Sequence, residues 1–208
     1  ASGDLGAVAR AVEGCEVGAS LPGRAYEPRL MHFPASQEIT AFLLERGEDI
    51  NSRDGYGHTP VHSRVMSRRV DQIPYLVSRG ADINARDRED CTPLFNAVRM
   101  LGADDVERMI SWGADARAVA KSRFRGKTTL TEHTLGEEVL FDAPRALEVI
   151  RVLLAHGAPT GKRERESLRS MDSLRCAFIS HGHSDIPDSR FDEAVAALGA
   201  ITHPAIDE

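Results

Sequence analysis

An all-helical stack of about five helix-turn-helix units is the fold this sequence predicts, and two markers in one register predict it. The first is Gly80-Ala81-Asp82-Ile83-Asn84, with counterparts before it in Gly47-Glu48-Asp49-Ile50-Asn51 and after it in Gly113-Ala114-Asp115-Ala116-Arg117. A further step back at the same interval reaches Gly14-Cys15-Glu16-Val17. The second is Thr59-Pro60-Val61-His62, which returns one interval later as Thr92-Pro93-Leu94-Phe95. A fixed period of about 33 residues marks one supersecondary unit repeated, each burying its apolar face only against its neighbours.

Each unit carries its own start and stop signals. In Thr59-Pro60 and Thr92-Pro93 the threonine hydroxyl is suited to cap free N–H groups. Proline sits at the first helical position, where its missing N–H costs nothing. A short first helix, a turn and a second helix follow. Gly47, Gly80, Gly113 and Gly157 then come directly after the apolar pattern, where a left-handed residue closes a helix. The second helices show helical spacing at Ile39, Phe42 and Leu43; Val70, Ile73 and Val77; Val106, Met109 and Ile110; and Ile150, Leu153 and Leu154. These are expected core positions.

The implied units are 1–18, a half repeat, then 19–51, 52–84, 85–117, an enlarged 118–161, and a capping 162–208. The opening stretch matches only the second half of a unit, so the stack begins there with an incomplete cap or was cut there. The next unit keeps Pro28, with Glu27 in place of threonine, and Pro34 shortens the link between its helices. Beyond Arg117 the beat lengthens. The step from Asp115 to Thr128 is longer by three than that from Asp82 to Thr92, and the step from Thr128 to Gly157 longer by eight than that from Thr92 to Gly113. An enlarged finger and a longer inter-helix segment around 136–144 are therefore expected. The last unit has an apolar pattern at Leu168, Met171, Leu174 and Phe178 and a small-residue acidic end, suited to a face without a neighbour.

These markers resemble the ankyrin-repeat family along most of the chain. The resemblance implies short hairpin finger loops on one edge of the stack and a non-enzymatic module for protein–protein interaction. It makes His62 structural, bonding to threonine and to backbone that ties adjacent units; Phe95 exchanges that network for apolar contact. Such arrays bind through their fingers and the exposed side of their first helices. The implied partner-binding residues are Arg53, Gly55, Tyr56, His58, Met66 and Ser67 in the third unit. In the fourth they are Arg86, Arg88, Glu89, Cys91, Arg99 and Met100. Tyr56 and Arg88 are the residue types that most often anchor interfaces. Asp90 stands where Gly57 stands one unit earlier, which puts the shape of the fourth finger in question.

Arg117, Lys121, Arg123, Arg125 and Lys127 form a basic finger with one aromatic, Phe124, and no acid. The plain reading is a solvated loop; the functional one is a contact at Arg123, Phe124 and Arg125 for an acidic partner or phosphate. Gly126-Lys127-Thr128 ends like a phosphate loop, but Lys121 stands where the first glycine belongs, so that match fails. His181-Gly182-His183 lacks the cysteines of a structural zinc site and reads as a polar turn. No cofactor, metal site or catalytic set is expected. An enzyme would need a site near Glu132, His133, Glu137 and Glu138.

The 208 residues are 41% apolar and only 5% aromatic, which suits thin helical layers. A formal charge of −6 argues against a general nucleic-acid binder and permits a basic protein partner. Three scattered cysteines imply a reducing, cytoplasmic setting. No apolar run reaches a membrane span, no signal peptide is visible, and a monomer is expected when free. Lysine occurs only at Lys121, Lys127 and Lys162 against many arginines, a bias associated with GC-rich bacteria. On that footing the leading reading is a bacterial immunity protein that occludes a basic toxin or nuclease. The alternative is a secreted effector that engages a host protein.

Overall fold

A computed structural model describes residues 4–20, 27–122, 126–134 and 143–159. Helix α1 (Leu5–Val12) opens with Asp4, whose carboxylate accepts from the Gly6 N–H at 2.9 Å. After it come a 3-10 turn (Leu30–His32), α2 (Gln37–Glu45), α3 (Pro60–Met66), a second 3-10 turn (Val70–Gln72) and α4 (Ile73–Ser78). Then follow α5 (Pro93–Met100), α6 (Ala103–Ser111), strands β1 (Val119–Ser122) and β2 (Gly126–Thr129), α7 (Leu130–His133) and α8 (Ala143–Ala155). No helix among the described residues is long and apolar enough to cross a membrane.

Short helices like these are marginal alone, so their stability comes from stacking. The first 3-10 turn packs on α3, α3 on α5 and α5 on α7; α1 packs on α2 and α6 on α8. Val61, Val65, Leu94, Val98, Val106, Met109, Leu130, Val149 and Leu153 lie fully buried between these layers. The apolar spacing read in the second helices is therefore the core, with Phe42, Val77 and Ile110 at its margin and Leu154 only partly buried outside it. Gly47, Gly80, Gly113 and Gly157 all take positive φ, between 76° and 101°, and end their helices as the sequence predicts.

Two sequence expectations need correction. The counterpart of Thr59-Pro60-Val61-His62 in the preceding unit is Arg29-Leu30-Met31-His32, not a pair at Glu27-Pro28. Arg29 takes the cap conformation and its N–H donates to His32 Nδ1 at 3.2 Å, as Thr59 N–H does to His62 Nδ1 at 3.1 Å. That spacing falls three short of the period, and a strict count skips it. Thr92, by contrast, makes no capping bond, and its buried hydroxyl has no hydrogen-bond partner among the described residues. With Phe95 replacing the histidine, the ring nitrogen that Thr59 uses is gone.

The enlarged finger is a two-stranded antiparallel hairpin, with Val119 opposite Thr129 and Ser122 opposite Gly126. Thr128 is buried and Thr129 is partly exposed, as the alternation of extended backbone requires, and β2 packs against α7. The helical reading of the stack thus holds except at this finger, where the extra residues pair with each other. The hairpin tip at 123–125 and the whole of 160–208 lie outside the described residues.

Gly57 shows how tightly the fingers are nested. Its φ is +81°, and a Cβ there would sit 2.9 Å from the Arg88 backbone nitrogen. Gly57→Ala should cost about 2 kcal/mol or more, combining left-handed strain with a backbone clash. Urea denaturation measures it, and a loss below about 0.5 kcal/mol would show that the fingers move apart freely. Asp90 holds the same conformation one unit on, at φ 65°, so the fourth finger keeps its shape without glycine.

Candidate protein-binding face

The fingers are built by aspartates at matching positions. Asp54 Oδ1 accepts from the N–H groups of Tyr56 and His58 at 2.9 and 2.8 Å, and Asp87 Oδ1 from those of Glu89 and Cys91 at 2.8 and 2.9 Å. Each carboxylate thereby folds its own turn, as short acidic side chains do. The Arg88 N–H then donates to the Tyr56 carbonyl at 3.0 Å and joins the two fingers.

The arginines run the same ladder from outside. Arg53 Nη1 donates to the Gly57 carbonyl at 2.9 Å and to the Arg86 carbonyl. Arg86 Nη1 repeats this one unit on, donating to the Asp90 and Val119 carbonyls at 2.8 Å each. Arg53 and Arg86, expected to face a partner, therefore also hold the finger edge together. His58 spans the gap from the inside, with Nδ1 3.2 Å from Asp54 Oδ2 and Nε2 3.6 Å from Asp87 Oδ2. Its ring lies 5.8 Å from Tyr56 and 5.5 Å from His62.

Behind the fingers, His62 is fully buried. The Thr59 N–H donates to Nδ1, so the ring proton belongs on Nε2, which donates to the Cys91 carbonyl of the next unit at 3.3 Å. Burial pushes its pKa down to about 4, and the like charges of His58 and Arg53 act the same way. His32 repeats the arrangement, reaching the His58 carbonyl at 2.9 Å, and burial lowers its pKa as well. Burial, with Asp87, Glu89 and Asp90 nearby, pushes the Cys91 thiol up to about 12. It is held protonated, the opposite of a nucleophile or metal ligand.

At the other edge, Asn51 bridges to the next unit, donating to the Gly80 carbonyl at 3.0 Å and accepting from the Asp82 N–H at 2.8 Å. Asn84 does the same with Gly113 and Asp115 at 2.9 and 2.8 Å. The recurring Gly-x-Asp-x-Asn marker is thus a cross-unit clamp, which explains its strict period.

What remains outward is a row across two linked fingers. Tyr56 is 54% exposed, and Arg53, Arg86, Arg88, Glu89 and Arg99 are exposed beside it. Met66 and Met100 are half-buried at the ends of the first helices, and Cys91 is half-buried just ahead of one. Tyr56 and Arg88 are brought together by the backbone bond between their fingers, and Arg53 and Arg86 by the guanidinium bond beside it. Arg123, Phe124, Arg125, Glu137, Glu138, His181 and His183 lie outside the described residues. His133 packs edge-on to Phe95 at 5.7 Å between ring centres. No group of His, Cys, Asp or Glu among the described residues is placed to hold a metal.

Sequence reading missed two inward-turned arginines. Arg64 Nη1 donates to the Met31 and His32 carbonyls at 3.3 and 3.1 Å, and Arg145 donates to the carbonyls of Val98, Leu101 and Arg99. Both satisfy the open carbonyl end of a first helix in the preceding unit. Arg64 carried a signal in being charged inside an otherwise apolar helix face.

A family model for ankyrin repeats, in three copies, matches residues 30–120. No curated protein matches the chain. The match begins at Leu30, where the first cross-unit histidine turn begins, and ends in the hairpin after the last asparagine clamp. Ankyrin repeats serve as modules for protein–protein interaction, and on this match residues 30–120 of the chain are ankyrin repeats.

Proposed function

We propose that this array binds one protein partner through the finger face, and that it acts without catalysis by covering that partner. The observation that carries the reading is the exposed pair Tyr56 and Arg88 on fingers linked by the Arg88–Tyr56 backbone bond, with Arg99 exposed near the end of α5. A preformed surface loses little entropy on binding, and exposed aromatic and arginine side chains concentrate interface energy. Arg53, His58, Met66, Arg86 and Glu89 complete the patch, and Arg123, Phe124 and Arg125, outside the described residues, are assigned to the interface from the sequence. The formal charge of −6 attracts a basic partner at long range, whereas the patch itself, with Arg53, Arg86, Arg88 and Arg99 against Glu89, suits an acidic segment on that partner. The specific version proposed is an immunity protein that occludes a basic toxin such as a nuclease.

Tyr56→Ala with Arg88→Ala should weaken partner binding at least about ten-fold, or 1.4 kcal/mol, with the melting temperature unchanged. Co-expression with the product of the adjacent gene, followed by titration calorimetry, checks both parts. Full affinity in the double variant would remove the finger face from the interface. A chain that binds no neighbouring gene product would remove the immunity version and leave the effector alternative.

A further inference from the structure

We propose that the cleft between the first 3-10 turn, α2 and the turn after α3 is a binding site for a small amphipathic carboxylic acid. Two joined hollows form it. The polar one, of 220 Å³, is lined by Ser36, Thr40, Arg64, Arg69, Asp71 and Gln72. The apolar one, of 530 Å³, is lined by Val8, Leu30, Phe33, Ile39 and Leu43. They share Ala35, Ser36, Arg69 and Gln72, so one ligand can reach into both. The larger falls in the range of small-molecule sites, which run from about 300 to 1,000 Å³ with apolar walls and a few convergent polar groups, and the smaller adds room for a headgroup.

The polar hollow carries an uncompensated charge. Arg64 is 1% exposed, its Nε has no hydrogen-bond partner, and it makes no ion pair among the described residues. Carbonyl dipoles at Met31 and His32 are its only bonded partners there. Burial pushes its pKa down to about 10, and the neighbouring Arg69 adds to this. A buried charge left without an opposite charge is costly, and an anion in the adjoining hollow relieves it.

The charges facing the hollow select a monoanion. Arg69 already pairs with Asp71 at 3.3 Å, leaving two guanidiniums against one carboxylate. Glu38 in the first turn of α2 is exposed and bonded to Ser36, outside the lining. The hollow also lies beside the N-terminus of α2, whose dipole favours negative charge. An acid headgroup would sit at Arg64 and Arg69, with its apolar chain along Leu30, Phe33 and Ile39. None of the residues that line the cleft belongs to the finger patch.

Titration calorimetry of the full chain with sodium octanoate tests this, with acetate and octanamide as controls. Octanoate should bind at one saturable site, at least about ten-fold more tightly than either control. Arg69→Gln, at an exposed position, should weaken octanoate about five-fold or more without changing the melting temperature. Arg64→Met should weaken it further, and if that variant does not fold, Arg69→Gln decides. Equal binding of octanoate and octanamide would overturn the charge recognition, and equal binding of octanoate and acetate the apolar arm. No octanoate binding, or unchanged affinity in Arg69→Gln, would overturn the site.

Discussion

Lowering the pH from 6.5 to 4 should remove about 3 kcal/mol of folding stability through His62 alone. Its pKa falls from 6.5 in the unfolded chain to about 4 in the fold. A depressed pKa means the folded state favours the neutral ring. The stabilisation is fully present above pH 6.5 and is lost at about 1.4 kcal/mol per unit as pH falls toward 4. The geometry gives the cause. Nδ1 already accepts from the Thr59 N–H, so a proton added there would face another donor inside a fully buried pocket. His32, lowered by burial, adds to the loss in the same direction.

The partner experiment is His62→Phe, since Phe95 shows that a phenyl ring fits the same place one unit on. At pH 7 the variant should lose about 2–4 kcal/mol, because the Cys91 carbonyl and Thr59 groups lose their partner. At pH 4 it should nearly match the parent, since the parent has by then lost its advantage. Urea denaturation at a series of pH values reads both. Parallel curves for the two proteins would show that His62 does not set the acid response.

Arg64→Ala should cost about 3 kcal/mol at neutral pH. The side chain is among the largest fully buried in the protein, and it supplies the donors for two carbonyls at the end of a truncated helix. Removing it leaves both a cavity and unpaired acceptors. Arg64→Met should cost about half as much, because it refills the volume and removes a buried charge that has no ionic partner. Denaturant midpoints with m-values measure the pair. If alanine costs less than about 1 kcal/mol, water has taken over the carbonyls and the arginine is not the cap.

The two inward-turned arginines mark where sequence reading stops. The repeated Gly-x-Asp-x-Asn and Thr-Pro-x-His segments were legible because each unit makes the same bonds to the next, so one geometry demands one residue pattern at one spacing. The apolar helix faces were legible for the same reason. Arg64 and Arg145 each answer an open helix end in a neighbouring unit, the short 3-10 turn for Arg64 and the C-terminus of α5 for Arg145. Nothing in the sequence around Arg64 says that Met31 and His32 need a donor. His32 itself escaped a strict count because its unit falls short of the full period.

The binding face divides the same way. Sequence alone determined which residues stand on the fingers and first helices, since register from the glycines and prolines places Tyr56, Arg88 and Arg99 by counting. Only the tertiary structure decided which of them the fold also uses. Arg53 and Arg86 point along the finger edge and give their donors to carbonyls one unit ahead, while Tyr56 stays more than half exposed. The reason is physical: the recurrence of Arg53 as Arg86 marks a repeated position, but whether a guanidinium there faces solvent or a carbonyl depends on which acceptors the neighbouring unit leaves within reach.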